Sequence, residues 1–190
     1  MHDPGTDPLS PLAHRIIQEG TYDQLVIASP PPSARQALDG LPAERLLTVP
    51  IRSPLHAQAM LAGLWLWRDG LEQSHTISQG IDDPTGSFWH AILHRREGDF
   101  SNSKYWYARC ADHPVLATLS ARAADIINPL PADKFLLKLN LRGWNPDVFV
   151  DLVQHLHHQS DDPLFAAAVA LQQLEWRSLF DHCTRLAVGK

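Results

Sequence analysis

The sequence predicts an all-α protein, an irregular helical bundle with a Pro-rich N-terminal portion. Apolar residues recur at helical spacing in the longer segments, and the one short strand-like segment, residues 24–28, has no partner strand. We therefore predict helix or coil for that segment. Nine of the 15 prolines lie in the first 54 residues, including a triple proline at 30–32, and the others stand at segment edges. Because proline breaks helix interiors but is tolerated in turns and first turns, this placement separates helices.

One domain is expected over residues 1–190, because a chain of this length can bury a single core. Residues 1–53 are expected to form short helices and turns, and residues 54–190 the helical core. In the first part, the sequence predicts a helix over 11–19 that ends at Gly20.

The core opens with two predicted helices and then a third with clear end signals. Residues 55–68 are apolar nearly all round, which is typical of a helix in the middle of a bundle. A further helix is predicted over 71–79. The next should begin after the acidic cap Asp83, with proline in its first turn, and run over 84–97 to a stop at Gly98.

The remaining helices are placed by polar caps and prolines. Ser101 or Asn102 is expected to cap a helix that runs to about residue 111. The other predicted segments each start at a residue followed by proline. These are helices over 113–127, 145–159 and 162–186, with a loop at 128–131.

Composition and charge argue against several classes of partner and location for this protein. The net charge of -5 argues against nucleic acid as a partner, because phosphate binding requires a basic surface. The first 14 residues lack the positive start and apolar run of a signal peptide. The longest strongly apolar run, 59–67, is too short to cross a bilayer, so no membrane partner is expected. Cys110 and Cys183 are expected to be free thiols in the cytoplasm, with a disulfide left open.

A stripe of histidine and glutamate marks the helix predicted over 84–97. At 100° per residue, His94 lies about 40° from His90 and Glu97 lies about 20° to the other side. The apolar residues of this helix, Phe88 and Trp89 among them, lie roughly opposite. Two imidazoles at i and i+4 can hold one metal ion, but the glutamate of the HExxH motif is absent because position 91 is alanine.

Further ligands for the same ion are expected from the preceding helix. A short connection at 80–84 should fold the two helices together and bring Glu72 and His75 to the stripe. We therefore predict one divalent ion (zinc, iron, nickel or manganese) held by His75, His90 and His94, with Glu72 or Glu97 as a further ligand or general base. The alternative is a polar stripe that simply faces solvent.

A second set of residues indicates an anionic ligand. Arg95, Arg96 and Lys104 lie close in sequence to Tyr105 and Trp106, and arginines beside aromatic rings bind carboxylate or phosphate well. The alternative is that the arginines pair with neighbouring carboxylates to fasten the loop at 98–103. The full set of candidate ligand-binding residues is Trp89, Arg95, Arg96, Asp99, Asn102, Lys104, Tyr105 and Trp106.

Residues 60–115 resemble an uncharacterised bacterial family. The stretch GSFWHAILHRREGDFSNSKYWYARCADHP, residues 86–114, carries the core WHAI-x-HRRE-x-D-x-x-N-x-KYW of that family. An E/D-x-S-H segment often precedes the core and is matched here by Glu72, Ser74 and His75. The resemblance implies a shared site in this cluster and no particular activity, cofactor, substrate or fold.

Two functions follow from these patterns. The first is a metal-binding protein that acts as a metal-dependent enzyme, in which Glu97 or Glu72 is the base and the arginines with Lys104 hold a small anionic substrate. The second is a metal-free helical module that binds a small ligand or a protein. In the second case the same polar residues form a structural hydrogen-bond network between helices.

Overall fold

All regular secondary structure is helical in the residues that the computed structural model describes, which are 7–27 and 38–190. No strand occurs in these ranges, only two isolated bridges between backbone segments. The prediction of an all-α fold is confirmed. The helices are α1 Pro11–Gln18, a 3-10 turn Ala43–Leu46, α2 Pro54–Trp67, α3 Leu71–Ser78, α4 Pro84–Glu97, α5 Phe100–Ala108, α6 Val115–Ile127, α7 Leu136–Leu139, α8 Pro146–Leu156 and α9 Phe165–Ala187.

Helix α2 is the centre of the bundle, as its apolar sequence predicts. Its nine residues from 59 to 67 and Ala57 are buried, and it packs mainly against α3 and the long helix α9. Gly63 allows a close approach, since a Cβ there would lie 2.7 Å from Cζ2 of Trp89 on α4. The backbone oxygen of Gly63 also accepts a hydrogen bond of 2.7 Å from Nε1 of Trp176 on α9.

The ends of α4 follow the sequence signals. Asp83 Oδ1 accepts a hydrogen bond of 2.9 Å from the backbone N–H of Gly86, and Gly98 ends the helix with a φ of 86°. That left-handed conformation carries no steric penalty in glycine. The prediction for α5 was wrong in its cap, because Asp99, not Ser101 or Asn102, accepts the bond from the Asn102 N–H.

Several other boundaries differ from prediction by a few residues. Helix α8 ends at Leu156, three residues early, α9 begins at Phe165, and the short helix α7 was not predicted. Residues 24–27 are coil, as favoured, while Ala28 and the triple proline lie outside the described ranges.

Three consecutive helices meet where the candidate residues lie. Helix α3 packs against α4 across their short connection, and α5 packs along the other side of α4. Helix α5 also contacts α8, so the segment 71–108 is tied to the C-terminal half. Both cysteines are buried free thiols. No helix in the described ranges has both the length and the apolar character that spanning a membrane would require.

Candidate metal centre

Three histidines from two helices form a cluster between α3 and α4. The ring centroid of His75 lies 4.6 Å from that of His90 and 5.6 Å from that of His94, and the last two centroids are 5.4 Å apart. One ligand nitrogen from each ring lies within 4.8 Å of the others. The fold-back of α3 onto α4 therefore brings His75 to the pair, as the sequence predicts.

The spacing of these rings suits a single ion. Three imidazoles bound to one tetrahedral zinc at about 2.0–2.1 Å have ring centroids about 5 Å apart. The three observed centroid distances bracket that value.

His90 is the buried member of the cluster. It is 2% exposed, its ring stacks on Trp106 with centroids 4.3 Å apart, and its Nδ1 lies 3.2 Å from Oγ of Ser78. Burial, reinforced by the neighbouring rings of His75 and His94, lowers the pKa of His90 to about 4. Its imidazole is therefore neutral at pH 7, which is the form that binds metal.

His94 has partners that suit a metal ligand. Its Nδ1 lies 2.5 Å from Oε1 of Glu97, one helical turn on, and its Nε2 lies 3.1 Å from Nδ2 of Asn102. A carboxylate on one imidazole nitrogen is the usual support for a histidine that binds metal through the other. In this arrangement Glu97 orients His94, and binding through Nε2 requires the Asn102 amide to turn aside.

The cluster opens to solvent on the side of α3. His75 is half-buried, whereas His90 and His94 are buried and Glu97 has 37% of its side chain exposed. Glu72 is exposed one turn before His75 on the same helix. The expectation that the stripe of α4 faces solvent is wrong for its two histidines, because α3 and α5 cover them.

Arg95 points into the protein, away from any solvent. Its exposed fraction is 0%, its Nη2 donates a hydrogen bond to Glu175 and its Nη1 donates one to the Tyr107 hydroxyl. The Tyr107 hydroxyl in turn donates to the second oxygen of Glu175 at 2.7 Å. The guanidinium also lies 4.5 Å from the centroid of the Phe149 ring. This arginine joins α4, α5, α8 and α9.

Arg96 is equally buried and ties α4 to the N-terminal portion. Its guanidinium donates to the backbone oxygens of Leu66 and Gln24, pairs with Asp69 at 2.9 Å and lies 3.9 Å from the Tyr22 ring. With no exposed surface, neither arginine can meet a dissolved anion in this conformation. The expectation that the two arginines anchor an anionic substrate is therefore corrected. The alternative, that they pair with carboxylates near them in sequence, is also corrected, because their partners lie on distant segments.

The other candidate ligand-binding residues are dispersed. Trp89 is fully buried in the core, Asp99 serves as the cap of α5, and Lys104 pairs with Asp151 at 2.5 Å. Tyr105 is 57% exposed. Of this set, Trp106 is placed against the histidine cluster together with Asn102.

Sequence reasoning missed Ser78 and a second group of imidazoles. His56, His113 and His182 line one cavity of about 390 Å³ near the first turn of α4, with ring centroids 4.8 Å apart for the last two. The backbone N–H of Val115 donates to Nδ1 of His113 at 3.3 Å, so in the neutral ring the proton lies on Nε2. Such a ring has no free nitrogen lone pair, so His56, His113 and His182 are a poorer set of metal ligands than His75, His90 and His94.

Comparison with other proteins adds no family to this description. No protein-family model matches the chain, and no curated protein or solved structure matches it. The resemblance carried by the WHAI-x-HRRE core stays a prediction.

Proposed function

We propose that this protein binds one divalent metal ion, zinc in the first place, between His75, His90 and His94. The observation that carries the proposal is the convergence of three rings from α3 and α4 at centroid distances of 4.6–5.6 Å. Two of the rings are buried, and His90 is neutral at pH 7. Three imidazole ligands favour zinc, nickel, copper or iron over magnesium and calcium.

The number of protein ligands, three, is typical of a catalytic metal site and not of a purely structural one. Structural zinc sites are closed by four protein ligands, whereas catalytic sites keep a fourth position for water or substrate. A bound zinc would supply Lewis-acid chemistry and lower the pKa of its water to about 7. We therefore propose a metal-dependent enzyme, with the open side of the cluster toward the solvent-exposed edge of α3.

The two glutamates receive different roles in this proposal. Glu97 holds the Nδ1 proton of His94 and thereby positions a ligand. Glu72, exposed on the turn before His75, is the candidate general base. The substrate must be bound by groups other than Arg95 and Arg96, because both are buried in contacts with the protein.

The second candidate function is a metal-free helical module that binds a small ligand or a protein. One specific observation favours it, the buried contacts of the two arginines. Arg95 with Tyr107 and Glu175 forms the structural network that the alternative describes. The network explains why the segment carries buried arginines, and it involves none of the three histidines. The metal proposal concerns only the three histidines, so the two interpretations apply to different residues.

Elemental analysis of protein prepared without a histidine tag tests the proposal. After dialysis against zinc and then buffer, we expect about one zinc per chain. The double variant His90→Ala/His94→Ala should lose the ion and keep its helical circular dichroism, whereas the control His157→Ala/His158→Ala, which removes an adjacent pair outside the cluster, should keep it. Wild-type protein without metal after dialysis against zinc, iron, nickel and manganese would refute the proposal.

A further inference from the structure

We infer that Ser78 is a positioning residue that holds the proton of His90 on Nδ1 and so directs the Nε2 lone pair of His90 to the metal. This inference rests on the proposed metal site and deepens it, since it specifies which nitrogen binds. Ser78 is the last residue of α3 and is 1% exposed, while His90 is in the middle of α4. The contact therefore joins the two helices that supply the ligands.

Two contacts of the Ser78 hydroxyl favour one direction for its hydrogen bond with His90. Its Oγ lies 3.3 Å from the backbone oxygen of His75, which can only accept, and 3.2 Å from Nδ1 of His90. A hydroxyl has one hydrogen and two lone pairs. When that hydrogen is donated to the His75 oxygen, the hydroxyl accepts from Nδ1–H of His90, and the Nε2 of the neutral ring carries a lone pair.

The opposite tautomer would change how the Ser78 hydroxyl is used. With the proton of His90 on Nε2, Nδ1 would have to accept from the Ser78 hydroxyl, which could then not donate to the His75 oxygen. With the proton on Nδ1, both contacts of the hydroxyl are made at once. The rings of His75 and His94 neighbour His90, so in the proposed site the Nε2 lone pair binds an ion shared by the three rings.

His94 shows the same arrangement with different partners. Its Nδ1 faces the Glu97 carboxylate, which can only accept when ionised, and its Nε2 faces the amide nitrogen of Asn102, a donor. The same amide nitrogen also lies 3.3 Å from Nδ1, but the hydrogen bond to the carboxylate requires a proton on Nδ1, so the lone pair of the neutral ring lies on Nε2. Two ligands on α4 are thus prepared to bind through the same nitrogen.

Two measurements test the role of Ser78. In metal-free wild-type protein, long-range proton–nitrogen NMR spectra should show His90 as the Nδ1–H tautomer. In Ser78→Ala the zinc affinity, measured by competition with a chromophoric chelator, should fall about 10–100-fold, as is typical when a supporting partner of a ligand is removed.

The matched control is Ser74→Ala, one turn earlier on α3. Ser74 is also buried, but its hydroxyl has no hydrogen-bond partner among the described residues, so its removal should leave zinc affinity unchanged. An Nε2–H tautomer of His90 in the wild-type protein, or equal zinc affinity in wild type and Ser78→Ala, would overturn the inference. Absence of zinc binding by wild type would instead remove the proposed function, while the tautomer spectrum still decides the inference.

Discussion

Glu175 on α9 accepts a hydrogen bond from Arg95 on α4, and the exposed fraction of both side chains is 0%. The partners are 80 residues apart in sequence, and Tyr107 on α5 bonds to both. This buried pair fixes α4, the helix that carries two of the three proposed ligands, to the longest helix of the bundle. The histidine cluster therefore depends on a long-range contact that involves none of its three histidines.

Breaking this pair should destabilise the protein strongly. Glu175→Gln keeps the shape of the side chain but leaves the charge of Arg95 buried without a counter-charge. Loss of one partner of a buried pair costs about 3–5 kcal/mol. Urea denaturation followed by circular dichroism measures the change, with Arg177→Ala on the exposed face of α9 as a control expected within about 0.5 kcal/mol. Equal stability of Glu175→Gln and wild type would show that the pair is not a structural anchor.

The second prediction concerns pH. Burial lowers the pKa of His113 to about 4, and its Nδ1 accepts from the Val115 N–H. Because the folded pKa lies below the unfolded value of about 6.5, the stabilisation is complete above that pH and is lost as pH falls toward 4. At pH 5 the loss from this residue should be about 2 kcal/mol relative to pH 7.

The variant His113→Asn isolates this contribution, since asparagine keeps an acceptor but does not titrate. Its free energy of unfolding should fall less between pH 7 and pH 5 than that of the wild type. The other ten histidines are the same in both proteins, so the difference comes from position 113. Denaturation at the two pH values gives the comparison. Parallel pH profiles for the two proteins would contradict the assignment.

The third prediction tests the contact between α2 and α4. Gly63→Ala places a methyl group 2.7 Å from the Trp89 ring, so we expect a loss of about 1–3 kcal/mol although alanine is the better helix former. In a Trp89→Phe background, which removes the contacting ring atom, the same substitution should cost less. A cost that is identical in the two backgrounds of this double-mutant cycle would exclude the contact as the cause.

Local signals explain why much of the fold could be predicted. Asp83 and Gly98 bound α4 through cap geometry that involves only neighbouring residues, and the all-round apolar character of residues 59–67 indicates a central helix. The cap of α5 was mispredicted because Asp99, Ser101 and Asn102 are all suitable types of cap residue, and the helix begins at Phe100, directly after Asp99.

The candidate site could be predicted only in part. The spacing of His90 and His94 and the short connection to α3 were sufficient to bring His75 to them. The burial of Arg95 and Arg96 was not predictable, because Glu175 and Leu66 are distant in sequence and their approach depends on packing. Ser78 was overlooked because a lone serine at a helix end has no distinctive pattern.

Anomalous diffraction at the zinc absorption edge, from crystals of tag-free protein grown with one equivalent of zinc, tests the central claim most directly. We expect a single peak about 2.0–2.1 Å from Nε2 of His90, from Nε2 of His94 and from one ring nitrogen of His75, with the fourth position taken by water or another non-protein ligand. No peak at this cluster, with zinc absent or bound at the His157–His158 pair instead, would contradict the account.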